Sequence, residues 1–284
     1  MDHAPVEKAP ALVAGSADGG RMNATGTLIA LGTIVRREVV RILRIWSQTL
    51  LPPAITMTLY FIIFGQLVGS RIGTIAQGAD GAPISYIEYI APGLVMMSVI
   101  QNSYGNISSS FFGAKFQRFV EEMLVSPMPG WTILAGYVAG AVMRGLMVGV
   151  IVLGLSLFFT KIHLYHPFVT LSTFLLAAVI FALLGFINAI YARKFDDIAI
   201  IPTFVLTPLT YLGGVFYNVD QLPQPWRELS YANPILYMVN TFRYGLLGVS
   251  DIDPAWAYLV MFGFVIALGA ICLNLLHRGV GLRT

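Results

Sequence analysis

Six long apolar stretches constrain this chain more than any other feature of its sequence. A membrane-spanning helix needs about 20 apolar residues to cross a hydrocarbon core about 30 Å thick. The sequence meets this requirement at Leu50–Gly69, Ile90–Phe112, Trp131–Phe159, Phe168–Ala192, Ile198–Tyr217 and Trp256–Leu276. We therefore predict an all-α polytopic membrane protein with six transmembrane helices, called spans 1 to 6 in chain order.

The low charge content supports a membrane location. Only 11% of the 284 residues are charged, whereas soluble domains average about 25%. So little charge excludes most soluble enzymes and disordered proteins. We attribute the net charge of +3 to loops that face the cytoplasm, and we expect no nucleic-acid partner. A single cysteine and four histidines, all four of which lie outside the spans, predict no metal site.

The loop charges predict the orientation. Twelve of the 17 Lys and Arg residues fall before span 1, in the loops after spans 2 and 4, or after span 6, and four fall on the opposite side. Positively charged loops stay in the cytoplasm. We therefore expect both termini in the cytoplasm. Residues 1–27 contain no apolar run, which predicts a disordered cytosolic tail ahead of a transmembrane domain over 28–284.

The stretch Leu28–Trp46 has the apolar periodicity of a helix. Its apolar stripe lies opposite Arg37, Arg41 and Arg44, and Pro52-Pro53 is expected to break it from span 1. This predicts an amphipathic elbow helix on the cytoplasmic leaflet. Two interpretations remain open: a topology anchor alone, or an anchor that also touches a cytosolic partner.

The segment after span 2 mixes charges with aromatic residues. This mixture predicts a short amphipathic helix on the cytosolic side, at Ala114–Val125. It either docks another protein or lies on the membrane as a connector. On the opposite side, Ile235–Leu247 is too short and polar for a full span, which predicts a re-entrant or interfacial helix before span 6.

Polar residues inside predicted spans mark an interior face. Asn102 and Asn106 share one face of span 2, where they either form interhelical hydrogen bonds or line a substrate path. Arg144 lies in span 3, about one helical turn inside the cytoplasmic boundary of the membrane if the uncharged run that follows it ends at the opposite boundary. It either snorkels and packs, or it faces a cavity or pairs with Glu121 or Glu122 of its own chain.

Small and helix-breaking residues predict the packing of two other spans. Span 3 carries glycines at spacings that allow close helix contact, and span 5 carries residues that predict a kink. These residues are Gly136, Gly140, Gly145 and Gly149 in span 3, and Pro202, Pro208, Gly213 and Gly214 in span 5.

Several catalytic signatures are absent from the sequence. No GxxxxGK[ST] phosphate-binding loop occurs, so we expect neither an enzyme nor a cofactor-binding chain. No acidic residue lies deep in a span, which disfavours an ion-coupled carrier. Two alternative functions remain: a secondary carrier or channel that works alone, and a membrane assembly or sensor subunit that transports nothing.

Four long strings resemble the membrane subunits of ABC-2 type ATP-binding-cassette exporters. They are RIWSQTLLPPAITMTLYFIIFG, SSFFGAKFQRFVEEMLVSP, FDDIAIIPTFVLTPLTYLGGVFY and NPILYMVNTFRYGLLG. The likeness extends over about residues 28–284, and the family plan contains the elbow, six spans, the helix after span 2 and the re-entrant segment. It implies a bacterial inner-membrane permease that exports an amphipathic, lipid-like or drug-like solute.

The resemblance also implies partners and site residues. Two permease chains would pair with two ATPase chains, which would hold ATP and Mg²⁺. The coupling segment, Ala114–Val125, would dock on the ATPase, and the export path would follow the dimer interface along spans 1, 2 and 5. The candidate coupling residues are Lys115, Phe116, Arg118, Glu121 and Glu122; the candidate path residues, chosen for their polarity, are Asn102, Tyr104, Asn106 and Arg144.

Overall fold

The computed structural model describes residues 22–78, 81–161 and 164–281. These ranges fold into ten helices and a two-stranded antiparallel sheet, with one 3₁₀ turn at Val219–Gln221. In chain order the elements are α1 (Ala24–Arg44), α2 (Trp46–Ile72), β1 (Thr74–Gln77), β2 (Pro83–Ser85), α3 (Tyr86–Phe116), α4 (Phe119–Val125), α5 (Gly130–Ser156), α6 (Pro167–Tyr191), α7 (Phe195–Leu212), α8 (Trp226–Tyr231), α9 (Pro234–Leu247) and α10 (Pro254–Arg278).

The predicted all-α polytopic fold is confirmed. Five helices, α2, α5, α6, α7 and α10, are long and apolar enough to cross a membrane. The predicted span 2 corresponds to α3, which is 31 residues long but carries a polar stretch in its second half. The count of six spans therefore stays a prediction. The elbow helix α1 begins at Ala24, inside the predicted tail, of which residues 1–21 lie outside the described ranges.

The centre of the bundle is formed by α3 and α6. The apolar window of α6 is 72% buried, whereas those of α2 and α7 are only 11% buried. Ile90 and Val99 of α3 and Phe186 of α6 are fully buried. The centre of the structure is therefore closely packed. The helices α2 and α7, in contrast, leave most of their surface uncovered by the rest of the chain.

The glycines of α5 permit the close contacts that their spacing predicts. A methyl group added at Gly136 would stand 2.6 Å from Cγ2 of Ile34 on α1, and one at Gly149 would crowd the ring of Phe174 on α6. Such distances leave no room for a side chain. These positions therefore hold α5 against the elbow helix on one side and against the bundle on the other.

The prediction that Pro52 and Pro53 break the elbow from span 1 is wrong. The chain bends at Ile45, and both prolines lie inside α2. Proline has no backbone N–H, so each one frees the carbonyl four residues earlier without ending the helix here. The second half of α2 is π-helical at Phe61–Val68, which the sequence did not predict.

The irregularity predicted in span 5 is confirmed. The chain winds as a π-helix at Pro202–Leu206, and α7 ends at Leu212, five residues before the predicted boundary. Gly214 then adopts a φ of 70°, which glycine accepts readily. The re-entrant segment corresponds to α9, where Asn233 accepts a capping bond of 3.0 Å from the N–H of Ile235.

Candidate functional site

The coupling segment is not one continuous helix. The long α3 runs on to Phe116, Arg118 takes a left-handed conformation with φ of 63°, and α4 starts at Phe119. The N–H of Arg118 bonds to the carbonyl of Lys115 at 2.9 Å, as in a left-handed helix cap. This conformation costs a residue with a side chain about 1–2 kcal/mol. The sequence predicted one helix because no glycine marks the break.

Lys115 ties two membrane helices together. Its Nζ donates to the carbonyl oxygens of Ile190 at 2.5 Å and Ala192 at 2.8 Å, where α6 ends and its last carbonyls lack helical partners. Lys115 lies beyond the predicted span 2, and its burial, with a smaller contribution from Arg193, lowers the pKa of its amine. Lys115 thus holds the end of α3 to the end of α6.

Several other side chains of the coupling segment are open to solvent. Phe116 is 64% exposed, and its ring meets the ring of Phe195, at the start of α7, with centroids 5.2 Å apart. Phe112 contacts the same ring at 5.0 Å. Arg118 and Glu122 are exposed and Glu121 is half-buried. The segment therefore offers aromatic and charged groups together, next to the first turn of α7.

A cavity of about 700 Å³ opens beside this segment. Its walls come from the ends of α3 and α6 and from the chain after α10. The lining residues are Phe112, Lys115, Phe116, Arg118, Ile190, Tyr191, Ala192, Arg193, Val280 and Gly281. A cavity of this size, with cations at its rim, can accept a side chain or loop from a docked protein.

The elbow helix faces the protein differently from the prediction. Arg37 donates to the hydroxyl of Tyr137 on α5 at 2.5 Å, and Arg41 bonds to Glu38 at 2.8 Å. Glu38 is 1% exposed, whereas Arg37 and Arg44 are exposed and Arg41 is half-buried. The face that carries Arg37 and Arg41 thus also contacts the protein, since both guanidinium groups lie within ion-pair distance of a buried carboxylate.

This polar cluster reaches into the bundle. Nη2 of Arg41 also donates to Oδ1 of Asn106 on α3 at 2.8 Å, and the hydroxyl of Ser110 donates to Glu38 at 2.7 Å. Glu38 packs over Gly140 of α5. The cluster therefore joins α1 to α3 and α5 through bonds that include charged partners, which are stronger than neutral ones.

The four candidate path residues do not share one surface. Asn106 is fully buried in the elbow cluster, and Tyr104 is buried where α3 crosses Gly185 of α6. Asn102 donates to the carbonyl of Ser98 at 3.0 Å and borders a cavity. Arg144 borders the same cavity from α5. The structure thus brings together Asn102 and Arg144.

Sequence reasoning missed two buried charges. Glu38 falls among arginines in the elbow and was not singled out. Arg243 was counted as a loop cation, yet it is 1% exposed within α9 and lies 3.9 Å from the ring centre of Tyr89. It donates to the carbonyls of Gly214 at 2.7 Å and Tyr89 at 3.2 Å. The available signal was that each is a charge flanked by apolar residues at helical spacing.

Comparison with known proteins identifies the family of this chain. The family model described as "ABC-2 type transporter" matches residues 29–247. The inner membrane transport permease YadH of Escherichia coli strain K12 is 53% identical over 256 residues, which cover 90% of this chain and 98% of YadH. Nodulation protein J of Rhizobium leguminosarum bv. viciae is 25% identical over 187 residues, 66% of this chain and 71% of that protein.

A second nodulation protein J, from Sinorhizobium fredii strain NBRC 101917 / NGR234, is 24% identical over 220 residues. That match covers 75% of this chain and 82% of the relative. The family match runs from within α1 to the end of α9, and so includes most of the elbow helix, the coupling segment and the buried helix α9. The chain therefore belongs to the ABC-2 type transporter family of multi-pass membrane permeases.

Proposed function

We propose that this chain is the membrane-spanning subunit of an exporter driven by a separate ATPase. Two copies of the chain form the translocation unit in the bacterial inner membrane, with both termini in the cytoplasm. Two ATPase chains bind ATP and Mg²⁺ and dock on the coupling segments. The unit moves an amphipathic, lipid-like or drug-like solute out of the cytoplasm.

The exposed coupling segment carries this proposal. Burying a ring as large as that of Phe116 would stabilise a complex, because aromatic side chains dominate the energetics of many interfaces. Its neighbours Arg118 and Glu122 supply charges of both signs that would fix the orientation of a partner. An ATPase docked here would also cover the 700 Å³ cavity.

The contacts of the coupling segment suggest how docking drives transport. Phe116 and Phe112 both touch Phe195, so a displacement of the segment would push on the first turn of α7. Lys115 would meanwhile hold the end of α3 against the buried helix α6. The ATPase would then move α7 relative to a fixed centre, as alternating access requires.

The exposed helices α2 and α7 support a dimer. They are adjacent, since the hydroxyls of Tyr60 and Tyr211 lie 3.2 Å apart, and each is only 11% buried. Both contain a π-helical stretch, and such stretches are frequent at functional sites. A second copy on this face would enclose a path between the two chains, lined by α2, α7 and the polar part of α3.

A transport assay tests this function. The chain and its ATPase, reconstituted in proteoliposomes with the ATPase facing outward, should move a fluorescent anionic amphiphile into the lumen when ATP and Mg²⁺ are added. A Walker-lysine variant of the ATPase, which lacks hydrolysis, is the control. Equal uptake with and without ATP would contradict the proposal.

A fusion experiment tests the orientation. A reporter enzyme that is active only in the periplasm should be active when fused after Tyr217 and silent when fused after Asp197. The positive charges of the loops lead to this expectation. The reverse pattern would overturn the orientation.

A further inference from the structure

A second cavity lies among the predicted spans 1, 2 and 3, away from the coupling segment. Its volume is about 300 Å³ and it is open at the molecular surface. That is room for roughly ten water molecules at liquid density. It is walled by α2, α3 and α5, and its lining residues are Gln48, Pro52, Pro53, Thr56, Met57, Gln101, Asn102 and Arg144.

Arg144 is the charged group of this cavity, and it forms no ion pair with the described residues. The four ion pairs among the described residues leave Arg144 out. Its Nε is buried and has no hydrogen-bond partner within the described ranges. A charged side chain inside a membrane costs several kcal/mol unless it is paired or hydrated. An anion bound in this cavity would pair with the charge of Arg144.

The buried carboxylate of Glu38 already has partners of its own. Glu38 accepts from Arg41 and Ser110 at 2.8 and 2.7 Å. Arg37 also lies within ion-pair distance of Glu38, at 3.6 Å. Two arginines thus already share Glu38, and Arg144 adds a positive charge that none of the ion pairs among the described residues neutralises.

The cavity walls divide into a polar and an apolar side. Gln101 and Asn102 stand on α3 beside Arg144, and amides can donate to an anion. Pro52 and Met57 belong to α2, which is largely exposed along its length. A head group at Arg144 would therefore be continuous with an apolar helix face that suits a hydrocarbon chain.

We propose that this cavity binds the anionic head group of an amphipathic molecule, a phosphate, sulfonate or carboxylate, with its hydrocarbon chain lying along α2. The proposal names the substrate class of the exporter and so rests on the proposed function for its biological meaning. Arg144 supplies the charge and Gln101 supplies hydrogen bonds.

Equilibrium binding to the purified full-length chain tests this site. The probe is radiolabelled dodecyl phosphate, added to the chain in phosphatidylcholine nanodiscs. Arg144→Gln should weaken binding about 10- to 100-fold, because a hydrogen bond to a charged group contributes about 1.5–3 kcal/mol. Arg144→Lys should retain binding to within about threefold, since it keeps the positive charge.

Two controls separate the site from general effects. Arg36→Gln removes an exposed elbow cation and should leave the affinity unchanged, while Gln101→Glu places a negative charge in the cavity and should weaken binding as strongly as Arg144→Gln. Dodecylphosphocholine, which has the same chain but no net charge, should bind all variants equally. Equal affinity of dodecyl phosphate for the wild type, Arg144→Gln and Gln101→Glu overturns the proposal.

A competition experiment distinguishes a membrane lipid from other anionic amphiphiles as the source of the head group. If phosphatidylglycerol in the nanodisc weakens the binding of dodecyl phosphate to the wild type but not to Arg144→Gln, the site is occupied by membrane lipid. If it has no effect, the site is selective for other anionic amphiphiles; either result supports an anion site. Because no ATPase is present, this assay can fail while the exporter function holds, and the transport assay can fail while the site binds.

Discussion

Nη2 of Arg41 on the elbow helix donates a hydrogen bond of 2.8 Å to Oδ1 of Asn106 in the middle of the bundle. The same nitrogen bonds to the buried carboxylate of Glu38. An amphipathic helix that only rested on the membrane would not need such bonds. The elbow is therefore a packed part of the protein, and its position is coupled to that of α3.

The first prediction concerns the buried carboxylate. Glu38→Gln should lower the free energy of unfolding by about 2–3 kcal/mol, because it leaves Arg41 without its charged partner in a buried place. The figure is at the low end because Arg37 and Arg41 are partly exposed, with 46% and 32% of their side-chain surfaces accessible. Thermal unfolding in detergent measures the effect. Arg44→Gln, on the exposed face, is the matched control and should change little.

The second prediction concerns the left-handed residue between α3 and α4. Arg118→Gly should leave the protein as stable or up to about 1 kcal/mol more stable, because glycine adopts positive φ without penalty. Arg118→Val should destabilise by about 1–2 kcal/mol, since a β-branched side chain resists this conformation. Denaturation of both variants provides the test, and equal stabilities would contradict the assigned backbone geometry.

The third prediction concerns the transmission of force. Phe195→Ala removes the ring that joins Phe112 and Phe116 to α7. In the reconstituted complex, ATP hydrolysis should continue at more than about half its normal rate while transport falls about tenfold or more, the cost of a 1.4 kcal/mol loss of coupling. Phe168→Ala, which truncates a ring that is 87% exposed at the start of α6, should alter neither. Parallel loss of hydrolysis and transport would argue for a structural role instead.

The fourth prediction concerns the buried arginine of α9. Arg243→Lys should destabilise the protein by about 2–4 kcal/mol. An ammonium lacks the planar guanidinium group that bonds to the carbonyls of Gly214 and Tyr89 while it stacks on the Tyr89 ring. Arg227→Lys is the control, since its ion pair with Asp220 is exposed and such pairs contribute about 0–1 kcal/mol. Similar unfolding temperatures for the two variants would contradict the role of Arg243 as a buried tie.

Much of the fold could be predicted from the sequence. The length of an apolar stretch and the positions of proline and glycine determine the structure of the helix that contains them. The long apolar stretches, the irregularity at Pro202 and the re-entrant segment at Ile235–Leu247 are all decided within one helix. The close contacts at Gly136 were predictable in kind. Their partner, the elbow helix, was not, because spacing gives a contact face without saying what covers it.

The candidate site was predicted less well, since its chemistry depends on contacts between distant helices. Lys115 was expected to take part in docking an ATPase, and the sequence did not predict its bonds to carbonyls at the end of α6. For Asn106 the sequence left open an interhelical hydrogen bond or a substrate path, and the structure shows a hydrogen bond from Arg41. In each case a polar residue found a partner more than sixty positions away, and no local pattern carries that information.

The central claim is that this permease works with a separate ATPase docked on the coupling segment, and co-purification tests it most directly. Tagged wild-type chain, expressed with its neighbouring genes and extracted in mild detergent, should retain an ATPase at a ratio near 1:1. The charge reversal Glu121→Lys with Glu122→Lys should lose most of that ATPase while the chain stays folded in the membrane. A wild-type chain that retains no ATPase, or a doubly reversed chain that retains as much as the wild type, would contradict the account.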